Sequence, residues 1–389
     1  MTRVALIGAN GHGRSHRARI GSLHDAGAVE FVGMADPRPV GPDPAVPPGV
    51  GVFRDHRTLL ARARPDVAVI CTPPPTHLAI ALDAVAAGCD LLLEKPPVLT
   101  RADHDRLAAA LGAAGRVCQV GFQALASPAL ELLRSALRAG TLGEVVGVAA
   151  VAAWQRDDAY YDRAPWAGRR AVDGALVNPL AHAVMQCLAV AGYAAGHAAG
   201  GLPRRLEVER YRTRPIESDD TAVLRLTLHD GPPVVVAGTL AGEEFIPGEV
   251  VVTGTRGRAV LEYPTDRLWL PGEPGPRPVA GRENLLTNLL AHRADPTGVA
   301  LRAPLADTVG FTAVVEALAA APPPVLLGGG LVRDVGSGPR RVRSIRGVNA
   351  VLRRAADGLA LPSELGVPWA RPAFTENVLQ TSGPGARTI

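Results

Sequence analysis

The chain opens as short apolar runs separated by glycine- or proline-rich breaks. Val4–Ile7 stops at Gly8-Ala9-Asn10-Gly11-His12-Gly13, a helical pattern runs from about Arg14 to Ala26, and a second apolar run, Val29–Ala35, ends at Asp36. A Pro/Gly-rich loop over 39–50 leads to a short helix at 55–63 and an apolar run at Val67–Ile70. A helix ending near Ala87 and runs at Asp90–Leu93 and Val117–Val120 follow. A continuous apolar run such as Val67–Ile70, set in an alternation of strands and helices, is the mark of a buried strand of a parallel, doubly wound sheet. After a helix at about 128–139 the rhythm changes. Strand-like runs at 145–153, 206–213, 222–228, 234–240, 250–253 and 259–263 are parted by turns such as His229-Asp230-Gly231 and Thr255-Arg256-Gly257, with helices near 283–294 and 305–320 at the end. Such spacing predicts a second α/β unit. Pro322-Pro323-Pro324 marks a boundary, and beyond it lie Gly-rich turns and a basic amphipathic helix at about 345–357.

The order strand, glycine turn, helix, strand, acid is that of a dinucleotide site, with Asp36 standing 23 residues after Gly13. The chemistry needs glycine at the tight turn and where helix meets strand, and backbone N–H groups at a helix start to face a pyrophosphate. Gly8, Asn10, Gly11, His12 and Gly13 are therefore candidate cofactor residues, with Asn10 in the place of the usual second glycine. Asp36 as acceptor for two ribose hydroxyls favours NAD, while Arg38 offers a partner for a 2′-phosphate and leaves NADP open. Ligands of open parallel sheets bind at the carboxyl ends of the strands. Thr72-Pro73 with His77, Glu94-Lys95 and Gln123 stand at or just past such ends. Each also has a plain reading: Thr72 and its prolines start a helix, His77 lies on a helix face, and Glu94 forms an ion pair.

Composition narrows the class. At 389 residues the chain is long enough for two domains. A formal charge of +4 with arginines scattered among carboxylates, and no basic run interleaved with aromatics, argues against a nucleic-acid partner. No apolar run approaches the ~18 residues of a membrane span, and the N-terminal apolar run is too short for a signal segment. Cys71, Cys89, Cys118 and Cys187 lack CxxC spacing and read as thiols of a reduced compartment, so a cytoplasmic location is expected, with no metal site. Of 41 basic residues, Lys95 is the single lysine. Arginine stays protonated in proteins, whereas a lysine can be tuned to exchange a proton, so Lys95 is the candidate catalytic acid/base.

Three motifs, Gly8-x-Asn10-x-x-Gly13-x-x-His16, Thr72-Pro73-x-x-x-His77 and Glu94-Lys95-Pro96, make the chain resemble the glucose–fructose oxidoreductase/inositol dehydrogenase (Gfo/Idh/MocA) family. The likeness continues through Trp154-Gln155-Arg156, Tyr160-Tyr161, Pro165-Trp166-Ala167-Gly168 and Asp173-Gly174 to His182, and covers about residues 1–320. It implies an N-terminal Rossmann domain over 1–123, a substrate-binding and oligomerisation domain over 124–321 with a large open, mostly antiparallel sheet, and an extension over 322–389. The extension is expected to cover the Rossmann domain or reach a neighbouring subunit, with the last ten residues disordered. The family often has a cis Lys–Pro peptide, making Lys95–Pro96 a candidate, and it uses this lysine beside the nicotinamide.

The second constellation lies around Asn178-Pro179, where Asn reads as a helix N-cap and Pro as the first helical residue. Asn178 and His182, four apart, would share a helix face near the positive end, which favours a neutral imidazole. The family commonly has Asp at the position of Asn178, in a Lys–Asp–His group. An amide exchanges no proton, so a relay here is left to Lys95 and His182 or borrows an acid, for which Asp173 is one option and a turn residue the other. In a chain only 4% aromatic, the concentration of Trp154, Tyr160, Tyr161 and Trp166 with Arg156 and Arg169 suggests a polyhydroxylated ligand lying on rings; core packing is the alternative. The leading expectation is NAD(P)-linked oxidation of a secondary alcohol in a sugar, cyclitol or related polyol. Redox-neutral elimination or glycoside hydrolysis on tightly held NAD, and a non-catalytic nicotinamide-binding regulator, are the competitors. A homodimer or homotetramer is expected from an open sheet face.

Overall fold

The structure, a computed structural model, describes residues 1–197 and 200–378; the expected disorder of the last ten residues lies outside them. Contacts divide the chain into two compact units. One comprises Met1–Gln123 and Glu283–Ala306, the other Ala124–Arg282 with the remainder from Asp307.

The first unit begins with β1 (Thr2–Ile7), α1 (Gly13–Asp25), β2 (Val29–Ala35), β3 (Gly51–Phe53), α2 (His56–Ala63) and β4 (Val67–Ile70). It continues with α3 (His77–Ala86), β5 (Asp90–Leu93), α4 (Arg101–Ala114) and β6 (Cys118–Val120). Its six strands are all parallel in the order β3-β2-β1-β4-β5-β6, so the order reverses between β1 and β4, where ligands of such sheets bind. β4 and β5 are buried at every position, which is why β4 reads as an unbroken apolar run and β5 as three leucines after Asp90. Local chemistry sets the helix starts: the Asp55 side chain accepts from the Thr58 N–H before α2, and Thr100 from the Asp103 N–H before α4.

The second unit opens with α5 (Pro128–Arg138), β7 (Val145–Gln155), α6 (Asp158–Tyr161) and α7 (Ala181–Ala194). Strands β8 (Pro203–Arg212), β9 (Thr221–Leu228), β10 (Val234–Thr239), β11 (Ala241–Gly254), β12 (Gly257–Glu262), β13 (Arg267–Trp269) and β14 (Arg277–Pro278) follow. α8 (Leu285–Ala294) belongs to the first unit. After it come α9 (Val309–Ala320), β15 (Val325–Leu326), β16 (Val332–Val335), β17 (Val342–Ile345), α10 (Val348–Gly358) and β18 (Phe374–Asn377). The large sheet runs β14-β13-β12-β11-β7-β10-β9-β8-β15, with β18 also on β8. It is antiparallel except where β10 meets β7 and β15 meets β8.

Segment 283–306 was expected to close the second domain and instead packs with the first. The buried Gln119 amide explains this: it donates to the Leu285 carbonyl (3.0 Å) and Asn288 Oδ1 (2.7 Å) and accepts from the Ala303 N–H (2.9 Å). Arg293 adds ion pairs to Asp90 and Asp66.

Within the extension, α10 lies on one face of the second unit's own sheet. Val348, Leu352 and Ala355, all fully buried, share a core with Ala149, Val151 and Ala153 of β7 and with Val235 and Ala237 of β10. Side chains alternate faces along a strand, so these odd-numbered positions look toward α10. A Cβ on Gly238, at an even position, would meet Leu176 and Leu180 on the other side. α10 thus covers this face over β7 and β10. Among the described residues no helix is long and apolar enough to cross a membrane.

Leu352→Ala is expected to cost about 2–5 kcal/mol of stability, the range for a leucine truncated in a closed core, measured by urea unfolding. A loss below about 0.5 kcal/mol would contradict this packing.

Candidate active site

In the first unit the steric requirement comes first. Gly8 has φ +92°, and a Cβ there would strike the Cys71 carbonyl; a Cβ on Gly13 would strike the Gly8 carbonyl oxygen. Gly11 has open space around it. α1 therefore starts against the end of β1, with no side-chain cap and no acid in its first turn. That leaves a positive helix start suited to a pyrophosphate.

Asn10, in the place of a glycine, works as a strap. Its Nδ2 donates to the Pro39 carbonyl (3.2 Å) and its Oδ1 accepts from the Gly41 N–H (3.4 Å), while its own N–H donates to Asp36 Oδ2 (3.1 Å). Asp36, 4% exposed, also accepts from Arg38 N–H (3.0 Å) and Nε (3.4 Å). Burial pushes this carboxyl up, but the backbone donors of Arg38 and Asn10 and the Arg38 charge outweigh it and hold it below the ordinary range. Arg38 is thus engaged with Asp36, and the buried carboxylate would repel a 2′-phosphate, so the pair favours NAD.

At the end of β5, Glu94 Oε1 lies 2.9 Å from His16 Nε2 and 3.5 Å from His12 Nε2, and Oε2 accepts the Lys95 N–H (3.2 Å). A Cβ on Gly121 would fall 2.7 Å from this carboxylate, so Gly121 makes its room. Burial again pushes Glu94 up, and the bonds and charges of the two imidazoles win, holding it well below the usual range. The three side chains place ligand atoms within 4.8 Å of one another, a spacing that a metal ion can also use. The half-buried Lys95 follows directly, and its peptide to Pro96 is cis. Thr72 accepts from Thr76 (2.8 Å) beneath the β4 end, with Pro73 before the short turn Pro74–Thr76. Gln123 is exposed just past β6.

His77 needs correction as a cofactor contact. It is fully buried, its Nδ1 2.8 Å from the Pro96 carbonyl and its Nε2 2.8 Å from the Thr72 carbonyl. Lodged between these two carbonyls, with its one ring N–H donating to either, it packs the β4 and β5 ends together rather than facing a ligand. Burial lowers its pKa against the pull of the two carbonyls.

In the second unit, the segment after β7 carries the aromatic residues. The Arg156 guanidinium lies 5.0 Å from the Trp154 ring and 5.2 Å from the Tyr160 ring. Arg163 lies 3.7 Å over Tyr160 and 4.8 Å over Trp166. Tyr161, proposed as a substrate contact, is 8% exposed and packs under buried Arg214 at 4.8 Å, so it supports the segment from behind. Arg169 pairs with Glu217. Asp157 caps α6 by accepting from the Tyr160 N–H (3.0 Å). Asp158 accepts from Arg214 Nε (2.8 Å), lies 3.8 Å from Arg343, and donates its N–H to the Arg341 carbonyl (3.0 Å). The extension therefore braces the aromatic segment through α6.

Asn178 is not a helix cap. Residues 174–180 form successive turns, and α7 begins at Ala181 with Leu180 at its N-cap. Asn178 Nδ2 instead donates to Asp173 Oδ1 (3.3 Å), and Asp173 Oδ2 accepts the Gly168 N–H (2.8 Å) with Arg163 at 3.5 Å. Burial raises the Asp173 pKa despite these donors. His182 is the second residue of α7, its ring 6.5 Å from that of Tyr263. The structure thus joins Asp173 to Asn178, and through Arg163 to Tyr160 and Trp166. Arg163, Arg214 and Arg343 were not singled out from sequence. For Arg163 the signal was its three-residue spacing from Tyr160 and Trp166.

Comparison with known proteins adds two family matches: the oxidoreductase family with an NAD-binding Rossmann fold over residues 2–122, and the GFO/IDH/MocA C-terminal domain over 130–260. The rhizopine catabolism protein MocA of Rhizobium meliloti is 28% identical over 271 residues, 67% of this chain and 78% of that protein. An inositol 2-dehydrogenase of Acidothermus cellulolyticus is 32% identical over 142 residues, 36% of this chain but only 42% of that protein. In fold, the chain is similar to the WlbA dehydrogenase of Bordetella pertussis, solved with NADH and UDP-GlcNAcA (TM-score 0.68, 23% identity, 81% of this chain and 94% of that one).

Two outcomes test this geometry. Gly13→Ala should weaken NAD binding about tenfold or more by lifting α1 off β1, read by calorimetric titration; unchanged affinity would refute the close-approach argument. Glu94 has a depressed pKa, so its contribution to stability is present above the unfolded carboxyl value of ~4.3 and lost as pH falls through the lower folded one. The melting deficit of cofactor-free Glu94→Gln should therefore be largest near pH ~5–6, where a histidine also carries charge, and shrink progressively as pH falls below ~4.3 toward the lower folded value. A deficit that grows with acid would be the wrong sign.

Proposed function

The chain belongs to the Gfo/Idh/MocA family of NAD-binding oxidoreductases, and from that premise we propose that it oxidises a secondary alcohol of a sugar, cyclitol or related polyol with Lys95 as acid/base. The observation that carries the reading is the single lysine at the carboxyl end of β5, in the sheet whose β1 and β2 ends hold Gly8 and Asp36. The residues present fit a dinucleotide: the Gly8–Gly13 contact clears the cradle, the start of α1 is uncapped, and Asp36 is a buried, ionised acceptor for ribose hydroxyls. NAD, when bound, supplies the hydride acceptor.

In this reading Lys95 takes the proton from the substrate hydroxyl as the carbon is oxidised, general-base help that contributes roughly 10²–10⁴ in rate. Glu94, fixed by His12 and His16, sets the backbone from which Lys95 projects. His182 is the second proton-handling group, and Asn178 is a hydrogen-bonding amide oriented by Asp173 rather than a relay acid. Relatives named for inositol oxidation and rhizopine catabolism support a cyclitol-sized substrate. The four free thiols suit a cytoplasmic site of action. The Asn178 amide favours one second reading, redox-neutral chemistry on retained NAD, because an amide at this position exchanges no proton.

Purified protein incubated with NAD or NADP and a polyol panel should form stoichiometric reduced cofactor. Carbohydrate product without net reduction would establish the second reading, and cofactor binding with no product would leave a regulator. Lys95→Arg and Lys95→Met should lower kcat by about 10²–10⁴ while the NAD Kd stays within a few-fold. Near-normal turnover in Lys95→Arg would remove the acid/base assignment.

A further inference from the structure

The rings of the 154–166 segment are not bare platforms. Trp154, Arg156, Tyr160, Arg163 and Trp166 form a ladder in which guanidinium groups and rings alternate, with centroid distances from 3.7 to 5.2 Å. A neutral sugar stacks its C–H groups on a free aromatic face. A face carrying a guanidinium presents a planar set of N–H donors instead.

The two arginines differ in charge balance. Arg163 is matched by Asp173 at 3.5 Å. Arg156 donates to the neutral Gln155 carbonyl (2.9 Å), and no ion pair to it is present among the described residues. Its backbone is fixed on both sides: the N–H donates to the Leu240 carbonyl (3.0 Å), and the carbonyl accepts from Arg214 Nη2 (2.6 Å). Arg214 is itself 2% exposed and held by Asp158. Stacking between two rings on an anchored backbone fixes an uncompensated fork in advance, so little ordering is left to be done on binding.

We propose that the substrate is an anionic polyol, a sugar or cyclitol bearing a carboxylate or a phosphate ester, and that Arg156 binds the anionic group through its guanidinium fork. This deepens the oxidoreductase reading and rests on it. Carboxylate and phosphate can each accept two parallel N–H bonds from the planar fork. Trp154 and Tyr160 set its plane, and Arg163 with Asp173 holds the far side of Tyr160.

The test uses the full chain with NAD and a matched set: glucose, glucuronate, glucose 6-phosphate, UDP-glucose, UDP-glucuronate, and myo-inositol with its phosphate. At least one anionic member should exceed its neutral counterpart by roughly 10- to 100-fold in kcat/KM, the range for a hydrogen bond to a charged group. The advantage should shrink with added salt. The uronate and phosphate arms identify the source of the charge. Arg156→Gln should bring the anionic-to-neutral ratio toward one, chiefly through KM, and Arg156→Lys should restore part of it. Neutral members used as well as charged ones, or a ratio unmoved in Arg156→Gln, overturns the proposal while leaving the oxidoreductase reading intact. If no member yields reduced cofactor, that reading fails instead. Calorimetric titration of the same compounds into the NADH-loaded protein then decides: Arg156-dependent binding confined to anionic members supports the anion site, and its absence overturns it.

Discussion

The cofactor cradle depends on a steric condition at two glycines. Gly13 rests on the carbonyl of Gly8, and Gly8 on the carbonyl of Cys71, so the end of β1, the start of α1 and the end of β4 meet at backbone distance. A side chain at Gly13 would push α1 off the end of β1, and one at Gly8 would push the ends of β1 and β4 apart. Because α1 sits this close, His12 just before it and His16 in its first turn reach the Glu94 carboxylate at the end of β5. On the opposite side, Asn10 and Arg38 close on Asp36 at the end of β2. The polar ties are strong because they are largely buried and charge-assisted, and only the close packing brings them within reach. Lys95 inherits its position from this arrangement, one residue after a carboxylate anchored at both oxygens.

The second unit solves a different problem. An antiparallel sheet with one wet face shows alternating apolar and polar residues, yet β7 is buried without interruption from Gly147 to Ala153 and β10 along its whole length. The extension accounts for this. α10 covers one face and α7 and its preceding turns the other, so both sets of side chains must be apolar. The same extension reaches α6 through Arg341 and Arg343, which couples the cover of the sheet to the segment bearing Arg156 and Tyr160. Buried ions there are paired with geometry good enough to offset their desolvation: Arg210 with Asp219 at 2.6 Å, and Arg214 with Asp158 at 2.8 Å.

Much of the first unit is legible in the residues alone. Apolar runs end where strands end, Asp36 lies at a fixed offset from the glycines, and a lone lysine in an arginine-rich chain stands out. These signals are local: periodicity, turn chemistry and residue type act over a few positions. The family motifs then extend the reading to the second unit's sheet. Only the tertiary structure decided which side chains become partners. Asn178 reads as a cap because Asn-Pro is a good helix start, yet the helix begins three residues later and the amide turns to Asp173. His77 reads as a ligand contact and lies buried between two carbonyls. Segment 283–306 reads as part of the second unit and is claimed by Gln119 and by Asp90, about 170–200 residues away in sequence. The place of α10 was hinted at by strands without alternation, but an apolar run does not name what will cover it. Burial of a polar or apolar face is a property of two surfaces, and the sequence writes them far apart.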